Sequence, residues 1–196
     1  MTHIFDIIYL VTHYGYLGIF IIVFLESGIF FPLPGDSLIF TAGLLATRLG
    51  YNIVFLTLLV FVAAFLGGVA GYFIGTKLDF LYNYSFFRKI LKKKYTAEAH
   101  AFLEKHGLSA LLLSRFVPVV RTFLPIVAGM VKMKYSHFIK YNLLGSFVWS
   151  AVFVLGGYFL GQSFPQLQEY LLYVVILIVL VSLLPGVFHL AKRKKS

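Results

Sequence analysis

Five long apolar blocks dominate the sequence, and they constrain its fold more than any other feature. They cover residues 17–46, 51–75, 107–131, 138–163 and 170–190. A membrane-spanning helix needs about 20 predominantly apolar residues, and the second, fourth and fifth blocks supply that length. Only 12% of the 196 residues are charged, against about 25% in an ordinary soluble domain. The pattern predicts an all-α polytopic membrane protein without a soluble catalytic or regulatory domain.

Lysine and arginine residues are concentrated in three segments of the chain. Seven lie at 77–105, three at 132–140 and four at 192–195, which makes 14 of the 17 in the chain. Cytoplasmic loops of membrane proteins are enriched in these residues, so all three segments are predicted to be cytoplasmic. Block 107–131 would then enter and leave the membrane on the cytoplasmic side. Its 25 residues are too few for two crossings, which need about 40, and this predicts a re-entrant hairpin.

The first and third apolar blocks contain residues that interrupt a helix. Proline removes a backbone donor and breaks a helix, and glycine permits a turn. The predicted hairpin breaks are Pro32, Pro34, Gly35, Pro118 and Pro125. An acid next to the first break, Asp36, has a simple structural interpretation as the cap of the helix that follows.

The sequence also contains an internal repeat with an offset of 86 residues. Pro32 matches Pro118, Ala42-Gly43 matches Ala128-Gly129, and the segment 71–75 matches 157–161. Each unit is a broken hairpin followed by one transmembrane helix. Because a single span separates the two hairpins, the units are predicted to have inverted topology, an architecture common among transporters.

The two repeats belong to a single membrane domain over 1–196. Repeat 1 covers 17–75 and repeat 2 covers 107–163, with a basic cytoplasmic segment over 76–106 between them. A C-terminal transmembrane helix over 170–191 is predicted to return the C-terminus to the cytoplasm.

Residues 1–15 are predicted to form an interfacial helix, because their apolar residues fall mainly on one side. No lysine or arginine precedes Arg48, and a cleavable signal peptide needs a basic start. Met1 onward is therefore expected in the mature protein.

The basic segment between the repeats is interpreted as a membrane-surface element. Its positive side chains are predicted to lie on the anionic headgroups of the cytoplasmic leaflet, and nucleic acid is not predicted as a partner. The residues concerned are Arg88, Lys89, Lys92, Lys93 and Lys94.

Four charged side chains inside the broken blocks are the candidate site residues: Glu26, Asp36, Arg115 and Arg121. Each costs about 2.5–3.5 kcal/mol at the centre of a spanning helix on insertion scales, so they must be paired or hydrated. One interpretation is a structural cluster that joins the two hairpins. The other, favoured for intramembrane ionisable groups, is a site that binds a charged substrate group or relays protons. A guanidinium suits a lipid phosphate, and the acids suit an amine or a proton.

The remaining residue types suggest no cofactor and no metal site. The chain has no cysteine, and its six histidines have no paired ligand spacing. Glycine-rich stretches such as 67–75 are interpreted as surfaces for close helix packing, and Trp149 as an interfacial or packing residue.

Several motifs together closely resemble the bacterial DedA family, also called SNARE-associated or VTT-domain proteins. They are Phe24-Leu25-Glu26-Ser27-Gly28, Pro32-Leu33-Pro34-Gly35-Asp36-Ser37-Leu38, Lys105-His106-Gly107, the segment 114–122 with Pro125 and Ala128-Gly129-Met130, and Tyr141-Asn142 with Gly145 and Trp149. The resemblance covers nearly the whole chain. It implies a role in moving lipids such as undecaprenyl phosphate or phosphatidylethanolamine across membranes. The family's important acids and arginines match the four candidate site residues.

The chain departs from the family pattern at two places. Many members have an acid after the glycine equivalent to Gly67, and an arginine shortly after the segment equivalent to 71–75. This chain has Gly68 and Thr76-Lys77 there.

Three functions follow from these observations. The first is a flippase or scramblase in the bacterial cytoplasmic membrane, in which a phosphorylated headgroup crosses between the hairpins while the lipid tails stay in the bilayer. The second is a proton-coupled small-solute or ion transporter that uses the same four charges. A lipid phosphatase is disfavoured, because no activated nucleophile accompanies Ser114-Arg115, so an enzyme is not predicted. The transported lipid, the energy source and homo-oligomerisation stay open.

Overall fold

The computed structural model describes residues 7–28, 35–77, 115–116 and 118–164. Within them the elements are α1 (Ile7–Gly28), α2 (Gly35–Leu44), α3 (Ile53–Lys77), α4 (Pro118–Met130) and α5 (Tyr135–Ser163). Every element in these ranges is an α-helix, in agreement with the predicted all-α class. The predicted C-terminal helix, the basic residues at 88–94, and Pro32 and Pro34 lie outside the described residues.

The two longest helices, α3 and α5, have the length and composition of transmembrane helices. They contain 25 and 29 residues, more than the about 20 that a bilayer requires. Large apolar side chains remain exposed along both of them, including Phe55 and Phe73 on α3 and Phe147 and Phe159 on α5. An apolar exposed surface is what a lipid environment favours, so these faces suit contact with acyl chains.

Helix α1 is interrupted at Gly15, which has φ of 53° and ψ of −145°. Glycine adopts this positive φ readily because it lacks a Cβ atom. Just after the break, the Tyr16 hydroxyl accepts a hydrogen bond of 2.8 Å from the backbone N–H of Asn52. The break therefore divides α1 into two helical segments and places the second one against the start of α3. The interfacial position of residues 1–15 stays a prediction.

The short helices α2 and α4 begin at Gly35 and Pro118, two of the residues interpreted as hairpin breaks. Proline at the first position of a helix lacks only an N–H that would have no partner in the helix. Pro125 is different, because it lies inside α4 and the helix continues to Met130. The interpretation of Pro125 as a break is therefore wrong. Only one backbone hydrogen bond is lost at such a proline, and packing between membrane helices tolerates that loss.

Each short helix packs against the long helix of the other repeat: α2 contacts α5, and α4 contacts α3. The contacts are close enough to involve the backbone. Gly43 of α2 faces the main chain of Val154 and Tyr158, and Gly129 of α4 faces the main chain of Tyr72 and Thr76. Gly43 and Gly129 correspond in the 86-residue repeat, as do Tyr72 and Tyr158. The two contacts are thus equivalent under the repeat. The inverted orientation of the two repeats and the re-entrant path of 107–131 stay predictions.

The main apolar core lies where α1, α2, α3 and α5 meet. Its fully buried side chains are Ile19, Val23, Leu38, Ile39, Ala42, Leu56, Val60, Ala63, Ala64, Trp149 and Val154. Helix α1 approaches α3 through glycines, because the backbone of Gly28 lies against Gly67 and Gly71. Small residues at such contacts let membrane helices come close together. This packing holds the ends of α1, α2 and α4 near one another, where the charged residues lie.

Candidate functional site: two buried arginines

Arg121, near the start of α4, binds two carboxylates with its two terminal nitrogens. Nη2 donates to Oε1 of Glu26 near the end of α1, and Nη1 donates to Oδ1 of Asp36 in the first turn of α2. All three residues are buried, and Arg121 is 1% exposed. The three side chains therefore join α1 and α2 of the first repeat to α4 of the second.

Trp149 of α5 completes this group, which we call the Arg121 cluster: Arg121, Glu26, Asp36 and Trp149. Its indole Nε1 donates to Asp36 Oδ1 at 3.1 Å, and its ring centroid lies 4.6 Å from Cζ of Arg121. A desolvated cation over an aromatic ring gains about 2 kcal/mol. Trp149 is therefore a packing residue of the apolar core and not an interfacial one, since it is 1% exposed. Its contacts with both charges were not predicted from the sequence.

The backbone around the Arg121 cluster fits the charged groups closely. A Cβ atom added to Gly35 would lie 2.7 Å from Cδ of Glu26, so a larger residue there would require the carboxyl group to shift. The Thr122 hydroxyl donates to the Glu26 backbone carbonyl at 2.9 Å, which ties α4 to the end of α1. Asp36 lies inside the first turn of α2 with its carboxylate on Arg121 and Trp149, so the helix cap expected of it is replaced by an ion pair.

Arg115 forms a second group, the Arg115 cluster, with Asn142 of α5 and the backbone of α3. Its Nη2 donates to Asn142 Oδ1, and both Nη atoms approach the Ala64 carbonyl at 3.4 Å. Asn142 Nδ2 donates to the Phe65 carbonyl at 2.9 Å. A Cβ atom at Gly68 would lie 2.9 Å from Arg115 Nη2. The glycine that stands where many family members have an acid thus adjoins this arginine.

The two arginines differ in how their charge is balanced. The described residues include two acids, Glu26 and Asp36, and both bind Arg121. Arg115 is 3% exposed and, within those same residues, its hydrogen bonds go to neutral oxygens. Removing one partner of a buried ion pair costs about 3–5 kcal/mol, which indicates how costly an unneutralised buried charge is. The four predicted site residues therefore form two groups with different electrostatics.

Several buried polar atoms beside the Arg121 cluster have no hydrogen-bond partner among the described residues. They are Glu26 Oε2, Ser37 Oγ, Thr41 Oγ1 and Arg121 Nε. A buried polar atom without a partner costs about 1–3 kcal/mol, so these atoms offer binding capacity to water, a proton or a substrate group. No group of three or more potential metal ligands occurs in the part of the chain that the structure describes.

Sequence reasoning named the four charged residues as the candidate site but gave Trp149 and Asn142 no role in it, although both lie in a motif that resembles the family. Charges inside an apolar block are conspicuous because they are costly. An indole in a membrane protein is more often interfacial, and one amide in a long helix has no distinctive spacing. The available signal was that Asn142, Ser146, Trp149 and Ser150 place polar groups at helical intervals along α5, all four of which are buried.

Comparison with known proteins gives a consistent result over most of the chain. The family model described as VTT domain matches residues 33–159. The protein named DedA from Escherichia coli K12 is 39% identical over 198 residues, covering 95% of this chain and 88% of the relative. An uncharacterized membrane protein of Mycobacterium tuberculosis H37Rv is 41% identical, covering 89% of this chain and 78% of the relative.

A further relative has a name that gives its location. The inner membrane protein YqjA of Escherichia coli K12 is 34% identical over 175 residues, covering 87% of this chain and 80% of the relative. No solved structure matches the chain. The family model covers more than half of the chain, and these relatives cover most of it at 34–41% identity. The chain therefore belongs to the DedA family of VTT-domain membrane proteins.

Proposed function

We propose that this protein is a flippase or scramblase that moves a phosphorylated lipid, such as undecaprenyl phosphate or phosphatidylethanolamine, across the bacterial cytoplasmic membrane. The observation that carries the proposal is the burial of Glu26, Asp36, Arg115 and Arg121 where helices of the two repeats meet. Ionisable groups at membrane depth mark substrate and proton pathways in transport proteins. Two of the three relatives are named as membrane proteins, one of them as an inner membrane protein, and these names support the same location.

In this proposal the headgroup and the acyl tails follow different surfaces. The phosphate crosses beside the buried arginines, because the guanidinium fork matches phosphate oxygens in two parallel hydrogen bonds. The tails remain in the bilayer against the exposed apolar faces of α3 and α5, which include Phe73 and Phe147. The basic residues at 88–94, outside the described residues, would hold the cytoplasmic side on anionic lipid. The protein acts in this proposal as a transporter and not as an enzyme.

One observation favours the second candidate, a proton-coupled small-solute or ion transporter. Two carboxylates, Glu26 and Asp36, share the single cation Arg121, so the trio carries one excess negative charge when both acids are ionised. A proton would remove that excess. The same arrangement is compatible with lipid movement coupled to protons. The two candidates then differ in whether a lipid or a small solute or ion moves with the proton.

The test is translocation of labelled lipids by the purified protein in liposomes, with proton flux recorded in parallel. Wild-type protein should move phosphate-bearing lipids. Arg115→Lys and Arg121→Lys keep the charge but lose the bidentate fork, so both should move phosphate-bearing lipids more slowly. Arg48→Lys is the matched control, because Arg48 lies exposed in the turn after α2. Proton flux in protein that moves no lipid would contradict the lipid proposal and support the second candidate.

A further inference from the structure

We propose that Asn142 is a specificity-determining residue. Because its amide is neutral, it leaves the positive charge of Arg115 available to one anionic oxygen of the substrate phosphate. Arg115 and Asn142 together would form an anion-binding subsite, distinct from the Arg121 cluster. The inference rests on the proposed function and refines it, because it assigns the phosphate to one of the two arginines. The subsite would recognise a phosphate oxygen, which either a lipid headgroup or free phosphate could supply.

The first step of the argument is the difference in hydrogen-bond partners. Both terminal nitrogens of Arg121 already bind carboxylates, so a phosphate there must displace a charged group. Arg115 binds the neutral oxygens of Asn142 and Ala64. Hydrogen bonds to an ionised acceptor are roughly twice as strong as those between neutral groups. Exchange of an amide oxygen for a phosphate oxygen is therefore favourable at Arg115.

The second step is the orientation of the Asn142 side chain. Its amide nitrogen donates to the Phe65 carbonyl at 2.9 Å, so its amide oxygen is the atom presented to Arg115. That oxygen occupies the position that an anionic oxygen would take. Asn142 is 3% exposed and Arg115 is equally buried, so a substrate reaches the pair only after the surrounding structure moves.

The third step is the space next to the pair. A Cβ atom at Gly68 would lie 2.9 Å from both Arg115 Nη2 and Asn142 Cγ. A side chain at this position would fill the subsite, and an acidic one would neutralise Arg115. Gly68 adds no side chain here, and every hydrogen-bond partner of this guanidinium among the described residues is neutral.

The decisive variant is Asn142→Asp, which has nearly the same shape but supplies a carboxylate to Arg115. We expect phospholipid translocation to fall at least about tenfold, which corresponds to about 1.4 kcal/mol. Thermal unfolding in detergent should occur at the wild-type temperature or above it, because a buried cation gains a partner. Asn52→Asp is the matched control: it adds the same charge at an exposed turn, where Asn52 Oδ1 caps α3 through Phe55 N–H at 3.0 Å. This control should transport like wild type.

A second variant, Asn142→Ser, removes the amide but keeps the position neutral, so it should slow translocation of phosphatidylglycerol clearly less than Asn142→Asp does. The probes are acyl-labelled phosphatidylglycerol, acyl-labelled glucosylceramide as a lipid without phosphate, and radiolabelled inorganic phosphate. All are assayed in liposomes of the same composition. The subsite predicts that Asn142→Asp slows the phosphate-bearing probes selectively.

The outcomes separate the subsite from the proposed function. If wild type moves phosphatidylglycerol and Asn142→Asp does so equally well, or if Asn142→Ser is as slow as Asn142→Asp, the subsite is refuted while lipid transport stands. If wild type moves free phosphate but no lipid, and Asn142→Asp abolishes this, the subsite stands while lipid transport fails. If wild type moves neither phosphatidylglycerol nor inorganic phosphate, the subsite is refuted. It is also refuted if Asn142→Asp slows glucosylceramide as much as phosphatidylglycerol.

Discussion

Arg115 and Arg121 are six positions apart in the sequence and almost equally buried, yet their surroundings differ sharply. Arg121 lies between two carboxylates and against an indole ring, and these partners come from three other helices. Arg115 binds an amide oxygen and a backbone carbonyl. The comparison shows that two buried arginines of one membrane protein can have partners of different charge. In our proposal, the neutralised Arg121 holds helices together, and Arg115, which binds neutral oxygens, receives the ligand.

The largest effect is expected when the charge of Arg121 is removed. Arg121→Gln leaves Glu26 and Asp36 buried without a cation, at a cost of about 3–5 kcal/mol. Arg115→Gln removes a buried charge that binds neutral oxygens, and glutamine can still donate to them, so folded protein should persist while phospholipid translocation is lost. The measurement is thermal unfolding of both variants in one detergent, alongside their abundance in membranes. Equal destabilisation by the two substitutions would contradict the division of roles.

A smaller effect is expected at Trp149. Trp149→Phe keeps an aromatic ring near Arg121 but removes the Nε1 donor to Asp36. A hydrogen bond to a charged group contributes about 1.5–3 kcal/mol, so unfolding should shift by about that amount. Trp149→Phe in an Asp36→Asn background should cost clearly less, because the charged acceptor is already absent. Strictly additive losses in this double-mutant cycle would show that Trp149 acts by packing alone.

A still smaller effect on stability is expected when one carboxylate is made neutral. Asp36→Asn or Glu26→Gln leaves Arg121 with one ionised partner, which balances its charge, so the stability loss should be about 0.5–1.5 kcal/mol. Translocation should nevertheless fall, because the site has lost an ionisable group. A purely structural cluster predicts the opposite pattern: unstable single variants that Arg121→Gln rescues. Abundance and transport, measured on the same preparations, distinguish the two patterns.

The smallest effect is expected at Thr41, whose buried hydroxyl lacks a hydrogen-bond partner among the described residues. Thr41→Val has the same shape and should be neutral or stabilising by up to about 1 kcal/mol. Thr122→Val is the contrasting variant, because the Thr122 hydroxyl donates to the Glu26 carbonyl, so it should destabilise. If Thr41→Val slows transport without changing stability, the polar region around Asp36 extends one helical turn further along α2.

The helix starts and the candidate charges could be predicted from sequence because both depend on local chemistry. Gly35 and Pro118 mark the starts of α2 and α4, and a charge in an apolar block is costly wherever it lies. Which acid meets which arginine could not be predicted, since that depends on how α1, α2 and α4 converge. Asn142 and Trp149 were missed for the same reason. Both lie on α5 and meet their partners across helix interfaces that the sequence does not reveal.

The inverted orientation of the repeats remains a prediction from the basic segments, and it has a direct test. The chain has no cysteine, and Lys134 is exposed between α4 and α5. A cysteine introduced at Lys134 should be protected from an impermeant thiol reagent outside intact cells. Labelling from outside would remove the re-entrant interpretation of 107–131.

The reciprocal glycine contacts limit how the molecule can open. Since α2 packs on α5 and α4 packs on α3, separating the two repeats as rigid halves would break both of these contacts at once. Gly43 and Gly129 meet main chain atoms directly, so no interlocking side chains must be withdrawn there. Such contacts permit rotation or sliding of one helix over another. In the proposed transport cycle, these two contacts would be pivots for helix movement beside the Arg115 and Arg121 clusters.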